Sequence, residues 1–124
     1  MNWLAIMQTT VIAIAADQIK DWDSFHSVFQ MTLGFPDFYG RNRDAWIDCM
    51  TCIDDPGRRM TAITVAEGEL VTLRIDDAPD FERRCPVQYR ALIECTAAVN
   101  HRRVERGGKP VLTLMLGGRF RKTS

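Results

Sequence analysis

The chain has no surplus of either charge: 16 Lys and Arg stand against 16 Asp and Glu among its 124 residues, with only two histidines. That balance excludes a protein drawn as a whole onto nucleic acid or an anionic membrane. Two histidines leave little for a metal centre or a His-based acid–base pair. No Ser/His/Asp order and no phosphate-cradling glycine loop occurs; Gly107-Gly108 and Gly117-Gly118 are isolated pairs. No catalytic constellation, resident metal or cofactor is therefore expected. Long hydrophobic runs are also missing. Residues 3–16 are rather apolar, but Gln8, Thr9 and Thr10 interrupt them and no basic n-region precedes them. Neither a signal peptide nor a membrane span is expected. The cysteines, Cys49, Cys52, Cys85 and Cys95, fall largely in segments that read as helix. They do not form the framework of a small secreted domain, so a reducing compartment, the cytoplasm, is expected.

What is present is ordinary for a globular domain: 46% hydrophobic and 26% charged residues. A chain of this length can bury one core without disulfides or metal. One domain over residues 1–118, followed by a basic tail over 119–124, is expected, with no repeat or long linker. The charges are segregated along the chain. Residues 1–81 hold 13 acidic and 6 basic residues, and residues 82–124 hold 3 acidic and 10 basic. The acidic part can meet a basic partner and the basic part phosphate or an acidic surface, or the two parts fold together and largely neutralise each other.

Residues 11–16 read as a buried strand. Asp21 then caps a helix with Trp22, Phe25, Phe29 and Leu33 on one apolar face, closed by Gly34 and Pro36. A second helix starts at Asn42 and ends before Pro56-Gly57. Residues 60–66 and 69–75 read as two strands of a hairpin turning at Glu67-Gly68. Residues 76–86 are turn-rich, with room for a short helical turn. A long helix follows from about residue 86 to 105, with Tyr89, Leu92, Ile93, Thr96, Ala97 and Val104 as its inner face and Gly107-Gly108 as its stop. Residues 111–116 are almost wholly apolar, which predicts a strand covered on both faces. Apolar strands at both ends with helices between predict an α/β domain with a small, largely parallel sheet and an added antiparallel hairpin.

The second helix carries the functional argument. At about 100° per residue, Trp46, Cys49, Met50 and Ile53 form one stripe, and Asp44, Asp48, Thr51 and Asp55 lie opposite, with Ile47 between. One side packs on the core while the other shows water a row of short carboxylates. Such a face is also what any surface helix requires. Glu is the better helix former, so the choice of Asp is mildly informative.

The string Phe35-Pro36-Asp37-Phe38-Tyr39-Gly40-Arg41-Asn42-Arg43-Asp44-Ala45-Trp46-Ile47-Asp48-Cys49-Met50-Thr51 resembles the barstar family of intracellular ribonuclease inhibitors. Its marks are an aromatic pair, a Gly, an Asn two residues on, then Asp-Ala and a second Asp four after the first. The likeness extends upstream without a gap through Asp17-Gln18-Ile19-Lys20 and Phe25-His26, and residues 111–116 match the family's last strand in type and place. The resemblance implies a parallel three-stranded sheet flanked by helices. It also implies a cytoplasmic immunity protein or antitoxin that plugs the active site of a cognate ribonuclease or nuclease toxin domain, 1:1, and is not an enzyme. By motif position Asp48 would be the main anchor and Asp44 would pair with nearby basic groups. Phe38, Tyr39 and Ile47 would lie against the enzyme, Asn42 and Thr51 would add polar contacts, and Gly40 would let the loop turn into the helix. The sequence departs from the family at Arg41 and Arg43, which bring positive charge beside the acidic face, and at Ile47, where an aromatic is expected. An adaptor that binds another protein or RNA without inhibition is the alternative.

Three other features weigh less. Cys49-Met50-Thr51-Cys52 lies inside a helix, away from the N-terminal position that activates a redox pair. His26 lies near an apolar face and reads as a core-edge residue. The basic stretch with Arg102, Arg103, Arg106 and Lys109 has almost no interleaved aromatics and reads as a solvated helix end, so nucleic acid is not the expected ligand.

Overall fold

The computed structural model describes residues 9–63 and 65–120. Strands β1 (Thr9–Ala13), β2 (Leu70–Ile75) and β3 (Leu112–Leu116) form a parallel sheet in the order β1-β2-β3. Helices α1 (Trp22–Leu33), α2 (Arg43–Thr51), α3 (Ala78–Arg84) and α4 (Pro86–Glu105) lie between them in sequence. This is the expected α/β architecture.

Ile12, Leu73 and Leu114 share one register row. Alternation puts Val71, Ile75 and Leu112 on the same face, and these three are buried. Val11, Ala13 and Met115 point to the other face and are exposed. The last strand is therefore not covered on both sides, as its apolar run predicted. It lies at a sheet edge, and β2 is the strand flanked on both sides.

The expected hairpin does not form. Among the described residues, 60–66 contain no strand, and the whole of β2 pairs parallel to its neighbours. The segment is instead a loop fixed by a tertiary and a local contact: Ala62 N–H donates to the Leu33 carbonyl at 3.0 Å, and Thr61 Oγ1 to the Ile63 carbonyl at 2.7 Å. Val65 is buried beneath it. The β-branched pattern reflects that burial rather than a ladder.

Local signals set the helix ends. Asp21 Oδ1 accepts from Ser24 N, and Ser24 Oγ accepts from Asp21 N, a reciprocal cap for α1. Gly34 closes the helix in the left-handed region at φ 67°. A Cβ there would overlap that of Ala62. The turn-rich segment after β2 holds α3, whose Arg84 reaches the carbonyls of Ile19 and Ala16 at 2.7 and 3.0 Å.

Phe25, Phe29, Phe81 and Trp46 fill the core, with the Phe29 and Trp46 rings edge-to-face at 5.5 Å. Helix α4 buries Tyr89, Leu92, Thr96, Cys95 and Val99. Ile93, Ala97 and Val104, expected on that face, are exposed. Asn100 joins α4 to the sheet: its Oδ1 accepts from the N–H groups of Val111 and Leu112, and its Nδ2 donates to the Leu112 carbonyl. At the C-terminal end Arg119 and Phe120 are exposed, and residues 121–124 of the expected tail lie outside the described residues.

Candidate functional site

Helix α2 is positioned by what it buries. Trp46, Met50 and Cys49 are in the core, as is Ile53 just beyond its end, so the helix cannot rotate without breaking that packing. Asn42 starts it in extended backbone, with Oδ1 accepting from Ala45 N at 2.7 Å. The Asn42 carbonyl oxygen of the side chain is thus committed to the cap. Asp44 sits in the first turn, where the helix dipole favours a carboxylate, and is exposed.

The loop before α2 turns at Arg41, not at Gly40. Arg41 adopts φ 53°, whereas Gly40 is not among the positive-φ residues and a Cβ on it would make ordinary contacts at 3.5 Å. Arg41 is held in that strained conformation by its side chain. Its Nη2 donates to the Asp23 carbonyl and Oδ1, both at 2.8 Å, and to Ser27 Oγ at 3.0 Å, while Nη1 donates to Gln30 Oε1 at 3.1 Å. Arg43 is similarly engaged with Glu94 at 2.8 Å. Both cations beside the acidic face are therefore paired with acids of other helices.

The residues singled out by sequence divide into exposed and buried sets. Phe38 is 76% exposed, a large apolar side chain standing in solvent. Gly40, Asn42, Asp44 and Asp48 are exposed, and Ile47 is half-buried against the core. Tyr39 and Thr51 are buried. The Tyr39 hydroxyl lies 2.6 Å from His26 Nδ1, and burial raises its pKa. Thr51 Oγ1 donates to the Ile47 carbonyl one turn back at 2.6 Å. These two side chains support the loop and helix from within, and Thr51 also lines the cavity beside Asp48.

Asp48 has a partner that its own helix does not supply. Arg102 Nη1 of α4 donates to Asp48 Oδ1 at 2.6 Å. The next residue, Arg103, clasps Asp54 in the turn after α2 with two hydrogen bonds and also donates to the Thr51 carbonyl. The charge segregation along the chain is thus partly cancelled in space, with α4 cations on α2 acids. In sequence Arg102 and Arg103 form a basic stretch, and only the fold brings them against the acidic helix and the turn after it.

The CxxC holds no disulfide, and all four cysteines are free. Burial, with Asp48 nearby, pushes the Cys49 thiol up to about 11, so it stays protonated near neutral pH. Among the described residues, no group of three or more His, Cys, Asp and Glu could hold a metal ion, and no helix is long and apolar enough to cross a membrane.

Fold and site together define a small α/β protein that carries a pre-ordered acidic helix and an exposed aromatic loop on one surface. The family described as Barstar (barnase inhibitor) matches residues 9–115, and the chain belongs to that family. A comparison with curated proteins gives no match.

Proposed function

We propose that the chain is a cytoplasmic inhibitor of a cognate ribonuclease or nuclease toxin domain, acting as an immunity protein or antitoxin in a 1:1 complex. Asp48 enters the site where the nuclease holds substrate phosphate, Asp44 pairs with cations at its edge, and Phe38 packs on the surface beside it. The observation that carries this reading is Asp48: exposed, yet fixed in position by a helix whose opposite side is wholly buried.

The chemistry is direct. Ribonucleases gather Arg, Lys and His to hold a phosphate, and a carboxylate can take its place through charge-assisted hydrogen bonds. A helix ordered before binding reduces the entropy lost on association. Complementary charge speeds encounter, which matters when the free enzyme is toxic. Family membership supports the role.

The test uses wild type and Asp48→Ala as parallel baits in lysate of the source organism with the nuclease expressed. Eluted proteins are separated from the bait and assayed for ribonuclease activity. A nuclease retained by wild type and lost by the variant is the expected result. Equal capture by both, or a partner without nuclease activity, would favour the adaptor role instead.

A further inference from the structure

The anchor carboxylate shares its surface with cations. Asp48 and Arg102, 58% and 33% exposed, line a cavity of about 370 Å³ with Arg58 and Arg106. Arg106 caps the C-terminal end of α4, and the ion pairs among the described residues do not include it. Among the described residues Arg58 pairs with Asp55, at 3.6 Å. One cavity is therefore lined by three arginines and one aspartate, whose Oδ1 already accepts from Arg102.

This arrangement constrains what can dock. A nuclease cleft that offers cations alone must draw Asp48 away from Arg102, and affinity falls by the fraction of time Asp48 is free. It would also desolvate Arg102 and Arg106 beside its own cations, an uncompensated buried charge. Both costs disappear if the incoming surface carries a carboxylate beside its cations. The row then alternates: partner cation, Asp48, Arg102, partner carboxylate. Asp48 within the cavity, with Asp55 at the neighbouring one, disfavours a phosphate chain in the same place.

We propose that Arg102, supported by Arg106, sets the specificity of this face: it admits a ribonuclease whose cationic cleft is flanked by a carboxylate and rejects one that presents cations alone. This rests on the inhibitor role proposed above, and it names the chemistry of the partner.

Three defined probes separate the possibilities by calorimetry at low salt: an octa-arginine peptide, an octapeptide alternating Arg and Glu, and an eight-nucleotide oligouridylate. Arg102→Ala and Arg102→Met, which keeps the aliphatic stem, are compared with Arg90→Ala. That control removes one charge from α4 twelve residues away, about 18 Å along the helix axis. Arg102→Ala and Arg102→Met should bind octa-arginine about tenfold more tightly than Arg90→Ala does. The gain should vanish when Asp48→Ala is added, and the alternating peptide should bind wild type better than either Arg102 variant. Equal octa-arginine binding by the Arg102 and Arg90 variants, a gain that survives Asp48→Ala, or no detectable binding by any variant would overturn the proposal. So would oligouridylate binding that is lost with Arg102, which would make the arginines an RNA contact. None of these outcomes depends on whether a nuclease is inhibited, so the inhibitor role stands or falls separately.

Discussion

Arg103 and Asp54 form a two-pronged ion pair between α4 and the turn after α2, with Nη1 to Oδ1 at 2.9 Å and Nη2 to Oδ2 at 2.7 Å. Their side chains are 16% and 8% exposed. The same guanidinium holds the Thr51 carbonyl at the end of α2 and the Lys109 carbonyl in the connection from α4 to β3. One residue earlier, Arg102 makes a single bond to the exposed Asp48. Adjacent arginines therefore serve different ends. Arg103 fastens the acidic helix to the body of the protein, and Arg102 lies on its exposed face.

The first prediction separates those roles. Asp54→Ala leaves the Arg103 charge buried without its carboxylate and should cost about 3 kcal/mol of folding stability. Arg102→Ala breaks a solvent-screened pair and should change stability by less than about 0.5 kcal/mol. Urea unfolding measures both. Equal effects would show that the burial difference between the two pairs has no energetic weight.

Gly34 gives a second. Its positive φ and the closeness of Ala62 both oppose a side chain, so Gly34→Ala should destabilise by about 2 kcal/mol. Ala62→Gly in the same chain should recover part of that loss by removing the overlap, leaving the conformational part. If Gly34→Ala is neutral in thermal unfolding, the α1 exit is not constrained as described.

A third concerns pH. Burial lowers the His26 pKa from its ordinary value of 6.5; Arg41 adds to the shift and Asp23 opposes it. The unfolded chain then binds the proton more readily than the native one. Stability is complete above about pH 6.5, falls as pH drops through that unfolded value, and levels off below the native pKa. The Tyr39 hydroxyl lies 2.6 Å from His26 Nδ1, and protonation makes both ring nitrogens donors, so that nitrogen can no longer accept. Urea midpoints between about pH 7.5 and 5.5 should decline in wild type and stay flatter in His26→Gln. Identical slopes would exclude His26 as the titrating group.

Local signals made much of this molecule legible. Asp21, Gly34 and Asn42 mark helix ends because capping chemistry acts over three or four residues. Trp46, Cys49, Met50 and Ile53 were identifiable as core because their spacing follows the helical turn. The resemblance over residues 35–51 points to the family without the fold. Some misses are local, such as Ile93, Ala97 and Val104, which lie on the outer side of α4; others come from contact between distant segments. Residues 60–66 look like a strand, but their apolar side chains serve a loop that docks on the end of α1. The buried state of Tyr39 depends on His26, thirteen residues away. The Asp48–Arg102 bond joins residues 54 apart, and no spacing along the chain encodes it.

A fourth prediction follows from the exposed carboxylates. Association with the nuclease should slow as salt rises, because Asp44 and Asp48 approach a cationic cleft through solvent. Dissociation should change less. Stopped-flow mixing across a salt series reads both, and a salt-independent association rate would remove steering from the account.

The most direct test of the central claim is a titration of the captured nuclease's ribonuclease activity with wild type and with Asp48→Ala. Wild type should abolish activity at one equivalent. Asp48→Ala should remain folded and inhibit more weakly by about 2 kcal/mol or more, a magnitude that partly reflects complexes of this family itself. Full activity in the presence of excess wild type, or equal inhibition by the two proteins, would contradict the assignment of Asp48 as the anchor of an inhibitor.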